Sequence, residues 1–368
     1  MGNDLESIIR QEIQENGPIP FSRYMEICLY HPEQGYYQRR PAVTGKTGDF
    51  FTAPHVHELF GHTVSAWIRA EAAKMGVEEM TLIELGPGNG QLAQDILDSW
   101  DSSGPSLSMI LVEASDPGKK KLEARFRERP VRVLSPPQVD DVDPVIGVVI
   151  ANEFFDALPL RIFENRDGIV HEVHVEVGED SLEEVLFPAK DLPESYSFLL
   201  SDLHDGFRTE ISPGWETWME KVARVLEKGC LLVVDYGEFT DGLLVPWRMG
   251  GTMRCFHRHQ VDADPYEAPG EKDITAHVNF SLIKEMGLSR GFSLRSYTTQ
   301  SSFLIKGGIL ELIAQRMNRL GEREGMKLWL TVKNLVHDEG MGEIFKAMVL
   351  EKKTVQSPET SVQSDVNR

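Results

Sequence analysis

The stretch that decides the fold is Leu82-Ile83-Glu84-Leu85-Gly86-Pro87-Gly88-Asn89-Gly90. An apolar run delivers one acid, Glu84, and three glycines then stand at every second position before helix-forming residues begin at Gln91. Glycine lets a chain turn tightly and pass close to a bulky ligand. The pattern therefore predicts a strand, a ligand-binding turn and a helix in succession.

The spacing of these glycines distinguishes between two cofactor classes. A dinucleotide fingerprint needs its third glycine at position 91, where this chain has Gln91. S-adenosylmethionine has no pyrophosphate to seat on a helix N-terminus, so the spacing favours this cofactor. A second acid, Glu113, follows the next apolar run, where a carboxylate can accept both ribose hydroxyls. We expect Glu84, Gly86, Gly88, Gly90 and Glu113 to bind the cofactor; the alternative is an ordinary turn flanked by surface acids.

Short apolar runs alternate with helical stretches from Met80 onward, which predicts a doubly wound α/β core with a parallel sheet. The predicted strands are Met80–Leu85, Met109–Ala114, Val131–Leu134, Val145–Ala151, Cys230–Asp235, Phe292–Tyr297 and Ile344–Leu350.

Breaks in this rhythm predict the domain organisation. Residues 1–78 form a helical N-terminal addition that ends in one long helix from about Pro54 to Met75. Residues 79–353 form the core, interrupted at about 160–212 by a hairpin that turns at Asn165–Gly168, and at about 236–278 by a long functional loop. The tail, 354–368, is rich in polar residues and predicted to be disordered.

The composition excludes several classes of protein. The formal charge of −20 repels phosphate backbones, so nucleic acid is a poor substrate. An acidic surface instead favours basic protein segments as partners. The alternative is that the acidic charge serves only solubility. Cys28, Cys230 and Cys255 are too scattered for a disulfide framework or a zinc cluster. No metal site is expected. His55 and His57 lie two apart at a helix start and so face different directions, and His257 and His259 lack an acidic or cysteine partner at ligand spacing.

The predicted location is the cytoplasm. No apolar run approaches the roughly 20 residues that cross a bilayer. The N-terminus carries Asp4, Glu6 and Glu12 where a signal or transit peptide would be poor in acids.

The fourth predicted strand is followed by Asn152-Glu153-Phe154-Phe155-Asp156-Ala157-Leu158-Pro159, and this block resembles the MidA family. Other stretches resemble the same family: Tyr30-His31-Pro32, Gly35-Tyr36-Tyr37, Gly48-Asp49-Phe50, the glycine turn, Val234-Asp235-Tyr236-Gly237, Pro269 to Val278, and Thr299-Gln300. The resemblance implies a seven-stranded, Rossmann-like methyltransferase core with an inserted lobe. It also implies an S-adenosylmethionine-dependent enzyme, since the mitochondrial members are protein arginine methyltransferases that assist assembly of respiratory complex I.

Three acids at strand ends are the candidate catalytic residues. If the acceptor is an arginine in a protein, a carboxylate pair must hold its planar guanidinium, and Glu153 and Asp156 suit that role. Asp235 ends another strand at the same edge and is a third candidate. The alternative for Asp156 or Asn152 is helix capping.

Three further residues of the family-like blocks, Asn152, Asp49 and Phe50, are predicted to contact the cofactor. The loop that carries Phe50 either closes over the cofactor or packs its aromatic rings into the core.

Three functions remain open at this point. The first is a protein methyltransferase acting on arginine. The second is an assembly factor or chaperone that binds the cofactor without turnover, and the third is a small-molecule methyltransferase. The intact acids and glycines favour the first over the second.

Overall fold

A computed structural model describes residues 4–39, 53–100, 104–190, 192, 194–257, 260–262, 264–337 and 340–353. The predicted tail and the loop that carries Asp49 and Phe50 lie outside the described residues. The strands are β1 (Ile19–Pro20), β2 (Glu79–Leu85), β3 (Ser106–Val112), β4 (Val131–Leu134), β5 (Val145–Asn152), β6 (Arg161–Arg166), β7 (Ile169–Val177), β8 (Leu182–Pro188), β9 (Arg208–Ile211), β10 (Leu226–Glu238), β11 (Arg254–His257), β12 (Gln260–Asp262), β13 (Asp273–Thr275), β14 (Val278–Asn279), β15 (Phe292–Thr299) and β16 (Phe345–Lys352).

Helices connect most of these strands. They are α1 (Asp4–Asn16), α2 (Phe21–Tyr30), α3 (Tyr36–Arg39), α4 (Ala53–Val56), α5 (Leu59–Met75), α6 (Gln91–Ser99), α7 (Asp116–Arg125), α8 (Glu194–Ser201), α9 (Pro213–Val225), α10 (Thr240–Leu243), α11 (Phe280–Leu288), α12 (Gln300–Lys306), α13 (Ile309–Leu320), α14 (Glu322–Val336) and α15 (Met341–Ile344).

The central sheet has the strand order β15-β16-β10-β5-β2-β3-β4. Its pairs are parallel, except that β16 runs antiparallel to both β10 and β15. All seven strands predicted from the sequence lie in this sheet, which confirms the doubly wound α/β fold. The strand order places the ends of β2, β3, β5 and β10 at one carboxyl edge, the edge where open α/β sheets bind ligands.

Apolar layers cover both faces of the central sheet. Leu82 and Val148 belong to one buried cluster, whereas their chain neighbours Ile83 and Val149 belong to the other. Successive side chains of a strand point to opposite faces, so a strand covered on both sides needs a continuous apolar run. The two-sided cover explains the short apolar runs in the sequence.

A second sheet joins the N-terminal addition to the inserted hairpin. Its order is β1-β7-β6-β9, with β8 beside β7. The predicted hairpin turns between β6 and β7 through Asp167 and Gly168, both at positive φ, as a two-residue turn requires. β1 pairs with β7 through Ile19 and Pro20. The addition is therefore fastened to the insertion by backbone hydrogen bonds.

Two local predictions were wrong. The long helix expected over Pro54–Met75 is divided into α4 and α5, and at the break His57 Nδ1 accepts the Leu59 N–H at 3.1 Å. The stretch 236–278, expected to lack periodic structure, contains four short strands, β11 to β14, and β14 lies parallel to the end of β10. Strands of two to four residues are too short to leave a periodic signal in the sequence.

Candidate active site

The glycine turn after β2 is built from left-handed backbone. Gly86, Gly88 and Gly90 have φ angles of +65°, +56° and +78°. A Cβ at position 86 would lie 2.8 Å from Cδ2 of Phe154. The turn is therefore packed directly against the segment that follows β5, and α6 begins at its end.

Two polar groups near the ends of β2 and β5 lack a partner among the described residues. Glu84 is 3% exposed, and its Oε2 accepts no hydrogen bond from the described residues. Asn152 Oδ1, at the end of β5, accepts none from them either. Burial raises the pKa of Glu84 to about 8, and the nearby charge of Arg125 partly offsets this rise. A buried acceptor without a donor is unfavourable. Both acceptors, beside a glycine turn, suit the amino and hydroxyl donors of S-adenosylmethionine.

Glu113 stands directly after β3 and is half-buried. Its Oε1 accepts the N–H of Ser115 at 2.7 Å, and Ser115 in turn caps α7 by accepting the Gly118 N–H at 3.1 Å. Burial raises the pKa of Glu113. The carboxylate is therefore held at the carboxyl edge by the start of the next helix.

Glu153 has a strained backbone. Its φ is +50°, which is uncommon for a residue other than glycine and is often found at functional sites. Its N–H donates to the Val234 carbonyl at 2.8 Å, and its Oε1 accepts a hydrogen bond from Asn152 Nδ2 at 3.3 Å. Burial, and then the charge of Asp156, raise the pKa of Glu153 to about 8.

Asp235 fixes the conformation of the turn after β5. The residue is fully buried, and its Oδ2 accepts the backbone N–H groups of Phe154, Phe155 and Asp156 at 3.3, 3.1 and 3.3 Å. Its Oδ1 accepts the Tyr236 N–H at 3.0 Å. Both oxygens are thus engaged with backbone groups, so Asp235 shapes the position of its neighbours.

Asp156 has one oxygen engaged and one without a partner among the described residues. Its Oδ2 accepts the Tyr236 hydroxyl at 2.6 Å, whereas Oδ1 accepts no hydrogen bond there. The side chain is 5% exposed, and burial raises its pKa to about 6. Asp156 therefore holds an oriented carboxylate with spare acceptor capacity.

The described residues bring the predicted acids and glycines to one edge. Burial raises the pKa of Asp235, and the charges of Asp156 and Glu153 raise it further, so these three acids interact. The contact of Gly86 with Phe154 joins them to the cofactor turn.

The sequence prediction missed three neighbours of Asp156: Tyr30, Tyr37 and Tyr236. All three fall inside the family-like blocks, which were the available signal in the sequence.

The comparisons with known proteins agree with this geometry. Residues 63–298 match a family described as "Putative S-adenosyl-L-methionine-dependent methyltransferase". The chain belongs to this family. The family confirms the predicted cofactor and reaction class: the chain is an S-adenosylmethionine-dependent methyltransferase.

Named relatives are similar over most of the chain. The Drosophila melanogaster "protein arginine methyltransferase NDUFAF7 homolog, mitochondrial" is 32% identical over 317 residues, covering 77% of this chain and 70% of the relative. The Homo sapiens "protein arginine methyltransferase NDUFAF7, mitochondrial" is 30% identical over 375 residues, covering 92% and 81%. These similarities confirm the resemblance that the motifs indicated.

A solved structure matches the whole fold of this methyltransferase. A Burkholderia thailandensis protein, crystallised with bound S-adenosyl-homocysteine, superposes with a TM-score of 0.84 at 28% identity. The superposition covers 96% of this chain and 93% of that chain. The N-terminal addition and the insertions thus belong to a fold shared with a protein that binds the demethylated cofactor.

The predicted cytoplasmic location was wrong. The Drosophila and human relatives are both named as mitochondrial, which contradicts it. The prediction rested on the lack of a bilayer-length apolar run and on the acids near the N-terminus, and neither observation specifies a compartment.

Within the described ranges, no helix has both the length and the apolar character that crossing a membrane requires.

Proposed function

We propose that this methyltransferase modifies an arginine in a protein substrate and that Glu153 and Asp156 hold its guanidinium. The observation that carries the proposal is the pair of acids beside the glycine turn: Glu153 is half-buried, and Asp156 is buried with one oxygen that lacks a partner among the described residues. A guanidinium is planar, remains charged and presents five donors in a fixed arrangement, so it matches paired carboxylates. The names of the relatives support the same acceptor.

Each acid has its own part in the proposed chemistry. Bound S-adenosylmethionine supplies an electrophilic methyl group on its sulfonium. Glu153 and Asp156, in their ionised forms, orient one guanidinium nitrogen toward that methyl group. Glu153, whose pKa is raised to about 8, is basic enough to take the proton that the nitrogen gives up. Asp235 positions the turn that carries both residues.

The residues proposed to bind S-adenosylmethionine are the acceptors and glycines at the carboxyl edge of the central sheet. Glu84 and Asn152 supply acceptors, Gly86, Gly88 and Gly90 bring the backbone close to the ligand, and Glu113 accepts the ribose hydroxyls. The roles of Asp49 and Phe50 stay predictions.

We expect Glu113→Ala to weaken S-adenosyl-homocysteine binding by about 1.5–3 kcal/mol, because a charge-assisted acceptor pair is lost. That free energy corresponds to a dissociation constant raised about 10- to 150-fold, measurable by isothermal titration calorimetry. Glu123→Ala on α7 is the matched control, since this acid is exposed. An unchanged dissociation constant for Glu113→Ala would leave this acid without a role in ribose binding.

The acceptor is tested directly by incubating the protein with methyl-labelled S-adenosylmethionine and lysate of its own host. We expect label on arginine side chains of protein, located by mass spectrometry. Gly88→Val protein is the control for transfer by other enzymes of the lysate. Label confined to small molecules would instead identify a small-molecule methyltransferase, and tight cofactor binding without transfer would identify an assembly factor.

A further inference from the structure

We propose that the N-terminal addition forms one wall of the acceptor pocket, where Tyr30 and Tyr37 position the guanidinium against the open surfaces of their aromatic rings. This inference rests on the arginine acceptor proposed above. The N-terminal addition then both packs against the core and forms part of the active site.

Tyr30, the last residue of α2, reaches across to the acid-bearing turn. Its hydroxyl donates to the Ala157 carbonyl at 3.0 Å, one residue after Asp156. Burial raises the pKa of Tyr30, and the charges of Asp273, Asp156 and Glu113 raise it further. Tyr30 is therefore within electrostatic reach of both the proposed ribose-binding acid and a proposed guanidinium-binding acid.

Tyr37, in α3, is anchored from another direction. Its hydroxyl donates to Asp273 Oδ1 at 2.8 Å, and Asp273 is a buried residue at the start of β13. The rings of Tyr30 and Tyr37 are neighbours, with centroids 5.4 Å apart and planes inclined by 43°. α3 also lies against α7, the helix that follows Glu113. Both tyrosines are thus held between the cofactor side and the acceptor side of the site.

The exposure of these rings separates them from tyrosines of the core. Tyr24 and Tyr36 are fully buried, whereas Tyr30 and Tyr37 are only half-buried. Tyr236, which donates to Asp156, is also half-buried. With each hydroxyl already bound to protein, the part of the ring that remains open is an apolar, electron-rich surface. Such surfaces attract cations, and guanidinium most often, as cation–π partners.

The test measures binding of Nα-acetylarginine amide to the S-adenosyl-homocysteine complex, with the uncharged citrulline analogue for comparison. Tyr30→Leu and Tyr37→Leu keep apolar bulk but remove the ring, and we expect each to weaken arginine binding about tenfold. Tyr30→Phe and Tyr37→Phe keep the ring and should restore most of the binding. The KM for the protein acceptor should rise in parallel, with kcat changed less than about twofold.

Tyr24→Leu is the matched control. Tyr24 lies in the same helix as Tyr30 and donates to the Pro265 carbonyl at 2.6 Å, away from the acids. Its replacement should lower thermal stability without changing the preference for arginine over citrulline. If Tyr30→Leu and Tyr37→Leu behave like this control, or lose cofactor and arginine binding together, their role is structural and the proposal is overturned.

A second measurement avoids disruptive variants. Protein deuterated except at tyrosine should show intermolecular NOEs to the arginine side chain, and those from Tyr30 and Tyr37 should vanish in the Tyr30→Phe, Tyr37→Phe double variant with deuterated phenylalanine. Persistence of all NOEs in that variant would contradict the proposed role of Tyr30 and Tyr37 in lining the acceptor pocket, but it would not contradict arginine as the acceptor. Equal binding of arginine and citrulline analogues by the wild type would instead overturn the proposed function, and the wall with it.

Discussion

Glu153→Gln and Asp156→Asn are each expected to lower methyl transfer at least about a hundredfold while cofactor affinity stays nearly constant. Each replacement keeps size and hydrogen-bonding ability but removes the charge that holds the guanidinium, an effect comparable to losing one electrostatic stabiliser in other active sites. Losing this charge raises the free energy of the transition state for methyl transfer and leaves the affinity for the cofactor nearly unchanged. Purified variants are compared by calorimetry with S-adenosyl-homocysteine and by transfer to the labelled acceptor.

The pH profile provides an independent readout of the same prediction. Burial and the charge of Asp156 raise the pKa of Glu153 to about 8, so the free enzyme gains its charged form as pH rises toward that value. Wild-type kcat/KM should therefore increase up to pH about 8 and then level off, and Glu153→Gln should lose this dependence.

Glu172→Gln is the matched control for both acid variants. It also removes a buried acid, one that pairs with Arg161 in the β6–β7 hairpin. It should lower stability without the loss of turnover. Full activity in both Glu153→Gln and Asp156→Asn would eliminate the guanidinium clamp. Loss of cofactor binding in either variant would assign that acid to the cofactor pocket.

Gly88→Val is expected to abolish detectable binding of S-adenosylmethionine and S-adenosyl-homocysteine. The wild type should bind at micromolar or tighter affinity. Gly88 has φ of +56°, a conformation that valine adopts only with strain, and the turn must also let the ligand approach the backbone. Calorimetry with both ligands measures the loss.

Gly168→Val separates backbone strain from the effect on the ligand. Gly168 has φ of +77° in the β6–β7 turn, and an added Cβ there would meet no atom within 4 Å. The two variants should lose comparable stability, yet only Gly88→Val should lose binding. Micromolar binding by Gly88→Val would contradict the assignment of this turn to the cofactor, as would a wild type that binds NADH and neither methyl-donor ligand.

Local patterns in the sequence were sufficient to predict the core and the cofactor turn. Strand length, apolar runs and glycine spacing are properties of neighbouring residues, so the seven strands and the turn at Gly86 were accessible without coordinates. The break between α4 and α5, where His57 Nδ1 accepts the Leu59 N–H, was missed because the helix was predicted from apolar spacing alone.

By itself, the sequence determined the doubly wound fold and the class of cofactor, because these depend on residues close together in the chain. Only the tertiary structure showed how the candidate acids differ in their hydrogen bonds. Asp235 lies about eighty residues from the turn that it stabilises, and its occupied oxygens separate it from Asp156, which retains a free acceptor among the described residues. The tyrosines from the N-terminal addition likewise reach the site only after folding. Burial and long-range contacts decide which of several similar carboxylates can meet a substrate, and neither can be seen in local sequence.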